Sequence, residues 1–207
     1  MKQIWFIILI ASVGIVHAQK TDTTYYPDGS TKATGLVSSD GRKIGAWEHW
    51  YPSGKQSALL TYSSNGELDG IQTYFDVDGD LIAQESWTEG LPSDSSFYFF
   101  ANGQLEKKGV FEDGLYAGEW TFYYENGNLR QVGSYVLGAP NGYWKFYFEN
   151  GQLNQHGHLV DGLEHGFWEY YDEDGNKTYE GTWENGEKKG QWYFFKGDRK
   201  KKWKYFD

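Results

Sequence analysis

Cysteine is absent from this 207-residue sequence, which excludes disulfide bridges and thiolate chemistry. Only four prolines occur and long polar tracts are missing, a composition that argues against disorder. Apolar residues at three- and four-residue spacing, the mark of an amphipathic helix, are missing between the turn signals. The net charge of −10 comes without any long acidic block. Such a surface repels nucleic acid and anionic lipid at long range, so neither is the expected partner, although the last residues are locally basic. What the chain has instead is 27 Gly, 17 Tyr, 13 Phe and 10 Trp. Aromatic rings pack well on pleated strands, and glycine supplies positive φ at tight turns.

Met1-Lys2, the apolar run Ile4 to Val16 and the small residues around Ala18 have the three parts of a secretory signal. Cleavage is expected after Ala18, leaving residues 19–207 as a secreted or periplasmic chain. The apolar run is shorter than the roughly 20 residues of a membrane span, and stable membrane insertion is not expected after cleavage. No cysteine stands near the cut to carry a lipid.

The rest of the chain repeats. The first turn glycine of each unit is Gly29, Gly54, Gly79, Gly103, Gly127, Gly151 and Gly175, at spacings of 25, 25, 24, 24, 24 and 24 residues. Four residues earlier stands an aromatic each time: Tyr25, Trp50, Phe75, Phe99, Tyr123, Tyr147 and Tyr171. A second glycine follows at Gly41, Gly66, Gly90, Gly114, Gly138, Gly162 and Gly186. Gly-x-Trp recurs at Gly45/Trp47, Gly118/Trp120, Gly142/Trp144, Gly166/Trp168 and Gly190/Trp192. The second unit has Gln72 in place of Trp, and the third has Asp94 and Ser96 in place of Gly and Trp. The segment 91–96 is therefore expected to be the weakest joint, with a loosened turn or a local change of curvature.

Asn-Gly and Asp-Gly between aromatic runs are hairpin signals. The reading is an all-β, elongated single domain of stacked antiparallel hairpins over residues 19–207, because one hairpin cannot bury its aromatic face in water and a stack can. Alternation places Trp144 and Phe146 on one face and Lys145 and Tyr147 on the other, with Leu153 and Leu159 joining the Trp face. Gly157 leaves room for a large neighbouring ring. Near 193–207 the lysine-rich run KGDRKKK and the return Trp203–Phe206 are expected to form a C-terminal capping hairpin.

Segments such as YYENGNLRQVGSYVLGAPNGYW resemble the MORN repeat in its bacterial variant of about 24 residues, over roughly residues 22–195. The resemblance implies elongated hairpin arrays that mediate protein contacts, with lipid contact proposed for some. It also brings in antitoxin-like proteins that bind a toxin partner, a role that an exported chain would fill as an immunity-like protein. No catalytic residue travels with the repeat.

Candidate chemistry is sparse. His156 and His158 alternate onto one face, His165 could return beside them, and Asp161 or Glu164 could complete a metal site. His165, however, occupies a position held by Ala117, Asn141 and Lys189 in other units, which reads as surface variation. His49 stands apart. Asp76–Asp80 and Asp172–Asn176 resemble calcium loops, yet neither continues to a closing glutamate, and both sit where every unit has a turn. No carboxylate pair, nucleophile frame or phosphate loop points to catalysis. The sequence thus assigns no catalytic, cofactor-binding or metal-binding residue and no cofactor. It implies a scaffold that binds a protein partner, with a polysaccharide as the alternative and Tyr123, Tyr147 and Tyr171 as an aromatic ladder along it.

Overall fold

The computed structural model describes residues 20–207, so the expected signal 1–18 lies outside the described residues. Sixteen strands follow one another: β1 (Lys20–Tyr25), β2 (Thr31–Val37), β3 (Lys43–Trp50), β4 (Gln56–Tyr62), β5 (Gly70–Phe75), β6 (Leu81–Thr88), β7 (Leu91–Phe99) and β8 (Leu105–Glu112). The second half comprises β9 (Leu115–Tyr123), β10 (Leu129–Val136), β11 (Ala139–Tyr147), β12 (Leu153–Val160), β13 (Leu163–Tyr171), β14 (Lys177–Glu184), β15 (Glu187–Lys196) and β16 (Arg199–Phe206). Each strand pairs antiparallel with the next, so spatial order equals chain order in one open sheet. No helix occurs among the described residues. The architecture is the elongated array of stacked hairpins that the repeat spacing implies.

Two turn types alternate along the two long edges. At one edge a five-residue loop closes each hairpin, with Tyr26 N donating to Ser30 O and Gly29 N to Tyr26 O, and the same pair recurs in every unit. At the other edge, from the third unit onward, two-residue turns carry positive φ at both positions, as at Asp113-Gly114 (49° and 79°) and Asp161-Gly162 (51° and 82°). That pattern defines the type I′ hairpin turn, whose twist matches the strands.

The five tryptophans of Gly-x-Trp hold neighbouring units together. Between the pairs Val132↔Lys145 and Ser134↔Asn141, the single residue Gly133 faces three, Gly142-Tyr143-Trp144. The extra residues bulge, and Gly142 adopts φ 82° to allow it. Trp144 then lies flat over Gly133, where a Cβ would come within 2.1 Å of the indole. Its Nε1 donates to Ser134 O at 3.2 Å, satisfying a carbonyl at the bulge. Trp120 over Gly109, Trp168 over Gly157 and Trp192 over Gly181 repeat the arrangement, each donating to the carbonyl after its glycine. All five rings are buried, although the sheet is a single layer. Phe111, Phe122 and Leu159 pack beside them, with Tyr135, Phe146 and Tyr170 around the margin.

Two local expectations are corrected. Leu159 joins the Trp face, but Leu153 pairs with Tyr147 across a bulge and not with Phe146. The segment 91–96 is not a loosened turn: β7 runs from Leu91 to Phe99, pairing with β6 on either side of a bulge opposite Ser86 and with β8 from Asp94 onward. Asp94 takes the glycine-like φ of 58°, a conformation that Asp tolerates better than most residues. Small Ser96 faces large Glu85 where other units set Trp beside Gly, so the volume is redistributed and the joint stays closed. The weak joint is one repeat earlier. There β4 and β5 share only the pairs Ala58↔Tyr74 and Leu59↔Thr73, with an isolated bridge at Tyr62↔Leu68. Fully buried Gln72 closes the gap with its amide, accepting from Thr61 N at 2.8 Å and donating to Thr61 O at 3.1 Å.

Candidate binding surfaces

The candidate histidine group that the sequence did not favour is half assembled. His158 and His165 are register partners on the face away from the Trp rings, and both are exposed. His156 shares that face, but its ring is engaged: Nε2 lies 2.9 Å from Glu169 Oε2 and Nδ1 shares a hydrogen bond with Tyr143. Glu164 pairs with Leu159 and so belongs to the Trp face, and Asp161 lies in the turn. Among the described residues no group of three or more His, Cys, Asp or Glu is placed to hold a metal ion.

Around His156 a charged chain crosses four strands. Glu169 binds Lys177, Lys177 reaches Glu180 Oε2 at 3.1 Å, and Glu180 also binds Lys200 of β16. Burial opposes the charge on Glu180, yet hydrogen bonds from Lys200 and Lys177 outweigh it and hold the carboxyl below its ordinary pKa. Burial likewise works against Lys177, and Glu169 and Glu180 more than compensate, raising its pKa. For His156 burial prevails over the pull of Glu169, and its pKa is lowered. His49, half-buried beside Trp47, is lowered by burial as well. His156, Glu169, Lys177 and Glu180 thus tie strands together, whereas His49 Nε2 is buried without a hydrogen-bond partner.

The acidic loops serve as turn closures. Asp76 Oδ1 accepts from Asp78 N at 2.8 Å and Asp80 N at 3.0 Å. Asp172 Oδ1 accepts from Asn176 N at 2.8 Å and Asp174 N at 3.1 Å, and those backbone donors lower its pKa. Other units use this edge to bind the next turn: Asn102, Asn126 and Asn150 each donate their side-chain amide to the carbonyl of Glu125, Glu149 and Glu173. The ladder Tyr123, Tyr147 and Tyr171 is half-buried throughout, neither core nor open platform.

Sequence reasoning missed two surfaces. The first is the edge of two-residue turns, where Leu91, Leu115, Val136, Leu137, Val160 and Leu163 are all exposed. Leu137 stands out, with 85% of its surface open and φ 49°, where equivalent turns place Glu89, Asp113, Asp161 and Asn185. The sequence signal was present as a leucine before Gly138 where other units have a polar residue. The second is an aromatic cavity on the Trp face between β13 and β16, lined by Tyr170, Tyr179, Lys188, Trp192 and Trp203. It arises from the register of β16, which periodicity does not specify.

A family model described as a MORN repeat variant matches residues 117–136 and 140–161, so a MORN-repeat-like fold covers that part of the chain. No curated protein matches. Among solved structures, the crystal structure of the GtfA/B complex bound to UDP and GlcNAc is similar at 12% identity and a TM-score of 0.23, covering 71% of this chain and 25% of that one. TcdB2-TccC3-Cdc42 is similar at 12% identity and a TM-score of 0.22, covering 90% and 14%. This chain thus spans a quarter or less of the solved chains it matches, and these likenesses say nothing of what it binds.

Proposed function

We propose that this chain is an exported, non-catalytic repeat scaffold that holds a protein partner along its edge of two-residue turns. Leu137 carries the reading. A left-handed leucine costs roughly 1–2 kcal/mol of backbone strain, and an almost fully open side chain recovers none of it within the fold. Its neighbours supply a row of aliphatic side chains at repeat spacing, roughly 10 Å apart, suited to a long apolar face on another protein. The expected leader supports a cell-envelope or extracellular setting for that contact. His156, Glu169, Lys177 and Glu180 are engaged in cross-strand pairs, and the surface offered at the turn edge is aliphatic, so what this edge supplies is contact area. An immunity-like role, with a toxin as the partner, is one form that this scaffold function takes.

The test is crosslinking capture from the native envelope with residues 19–207 as bait, run in parallel with Leu137→Asp and with Val77→Asp, an exposed residue in a five-residue loop at the opposite edge. One dominant protein should be recovered with the parent chain and Val77→Asp, and at least tenfold less with Leu137→Asp. Equal recovery of that protein by Leu137→Asp would contradict the assignment.

A further inference from the structure

The cavity at the C-terminal end has an open volume of about 290 Å³, comparable to a small ligand pocket. Its walls are ring faces: Trp192 is buried, whereas Tyr179 is 40% and Trp203 46% exposed. Trp203 lies on β16, which forms an edge of the sheet among the described residues.

Lys188 decides the charge of what enters. Its Nζ lies 4.4 Å from the Trp192 ring centre, 5.0 Å from Trp203, 5.5 Å from Trp183 and 5.7 Å from Phe206. The ring faces that would attract a cationic ligand are thus already occupied by an ammonium, and a second cation is repelled. None of the ion pairs among the described residues involves Lys188, so its N–H donors are open to an anion. Lys204 reaches the same Phe206 ring at 4.8 Å. Lys201 pairs with Phe194, which places it on the face of Trp192. Between Lys196 and Lys204 six basic residues stand against one acid, in a chain of net charge −10.

The rings also limit the ligand's shape. Tyr179 and Trp203 are 5.1 Å apart at 57°, and Trp192 and Trp203 are 6.3 Å apart at 70°. They form an angled cup and offer no parallel pair of faces to sandwich a flat base. A pyranose ring, with C–H bonds on one face and polar groups at its rim, suits such a cup because polarised C–H groups sit well on the negative face of an aromatic ring.

We propose that this cavity is a subsite for an acidic sugar, whose ring lies on Trp203 and whose carboxylate takes Lys188, with neighbouring units of an acidic polysaccharide meeting Lys201 and Lys204 on the same face. The site is independent of the protein-docking edge and stands or falls separately from it.

Calorimetric titration of residues 19–207 with oligogalacturonate, a neutral oligoglucose and a single-stranded thymidine oligonucleotide tests it. Oligogalacturonate should bind saturably and at least tenfold more tightly than either of the others. Trp203→Ala should weaken that binding tenfold or more with an unchanged far-UV spectrum, since the ring is half exposed on an edge strand. Lys188→Met should erase the preference for the acidic over the neutral sugar, and Leu137→Asp should change nothing. Absence of saturable oligogalacturonate binding, equal or tighter binding of the oligonucleotide, or full affinity in Trp203→Ala would each overturn the proposal.

Discussion

Gly157 and Trp168 illustrate, at the scale of single residues, how one repeat is held to the next. The indole lies where a side chain on residue 157 would be, and its Nε1 takes the carbonyl of His158 at 3.1 Å. Gly157→Ala should therefore cost roughly 1–3 kcal/mol or more through overpacking, read as a lower urea midpoint. Leu137→Asp should act in the opposite sense, raising stability by up to about 1 kcal/mol, because Asp adopts the left-handed turn as it does at Asp113 and Asp161. His156 sets a pH dependence. Burial holds its folded pKa below the unfolded value, so between the two the folded chain binds fewer protons than the unfolded one. Stability should thus fall as pH drops below about 6.5, and His156→Gln should flatten that slope in midpoints measured from pH 7 to 5.

Strands and joints were legible in the sequence where a motif has one geometric solution. Gly-x-Trp required a glycine to loop out and another to receive the ring, so the Trp face and the pairing order could be read directly. The exceptions were visible as exceptions, but their consequences were not. Ser96 lacks a ring, yet Glu85 opposite it is large and binds Tyr98 Oη at 2.6 Å and Trp87 Nε1 at 2.9 Å, so β6 and β7 stay joined. Gln72 also lacks a ring, and there a side-chain amide replaces backbone pairing between β4 and β5. Which change loosens a joint depends on the residue across the bulge, and a periodic pattern does not reveal that partner's response. The same limit hid the binding of His156 by Glu169 and the aromatic cavity beside β16. Gln72→Ala should cost roughly 1–3 kcal/mol by emptying a fully buried site and leaving the half-buried Thr61 N–H without its acceptor, while Thr61 O keeps its bond from Asp69 N, measurable by thermal unfolding.

Across the whole molecule, a sheet in chain order makes stability a sum of neighbour contacts. Position in the array should then set the cost of a change. Trp144→Ala, in the middle of the best-packed stretch, should cost about 3–5 kcal/mol. Tyr26→Ala, which removes one hydrogen bond to Trp50 O near the N-terminal end, should cost roughly 0.5–1.5 kcal/mol. The measurement that bears most directly on this account is residue-resolved amide hydrogen exchange of residues 19–207 under native conditions. It should show slowest exchange in β9 to β15, where each Trp is seated on a glycine, and a local maximum of exchange at the β4–β5 joint, faster than in β6 and β7 beyond it. Protection at β4–β5 equal to or greater than that of β9 to β15 would contradict the view that the tryptophan–glycine joints hold this array together.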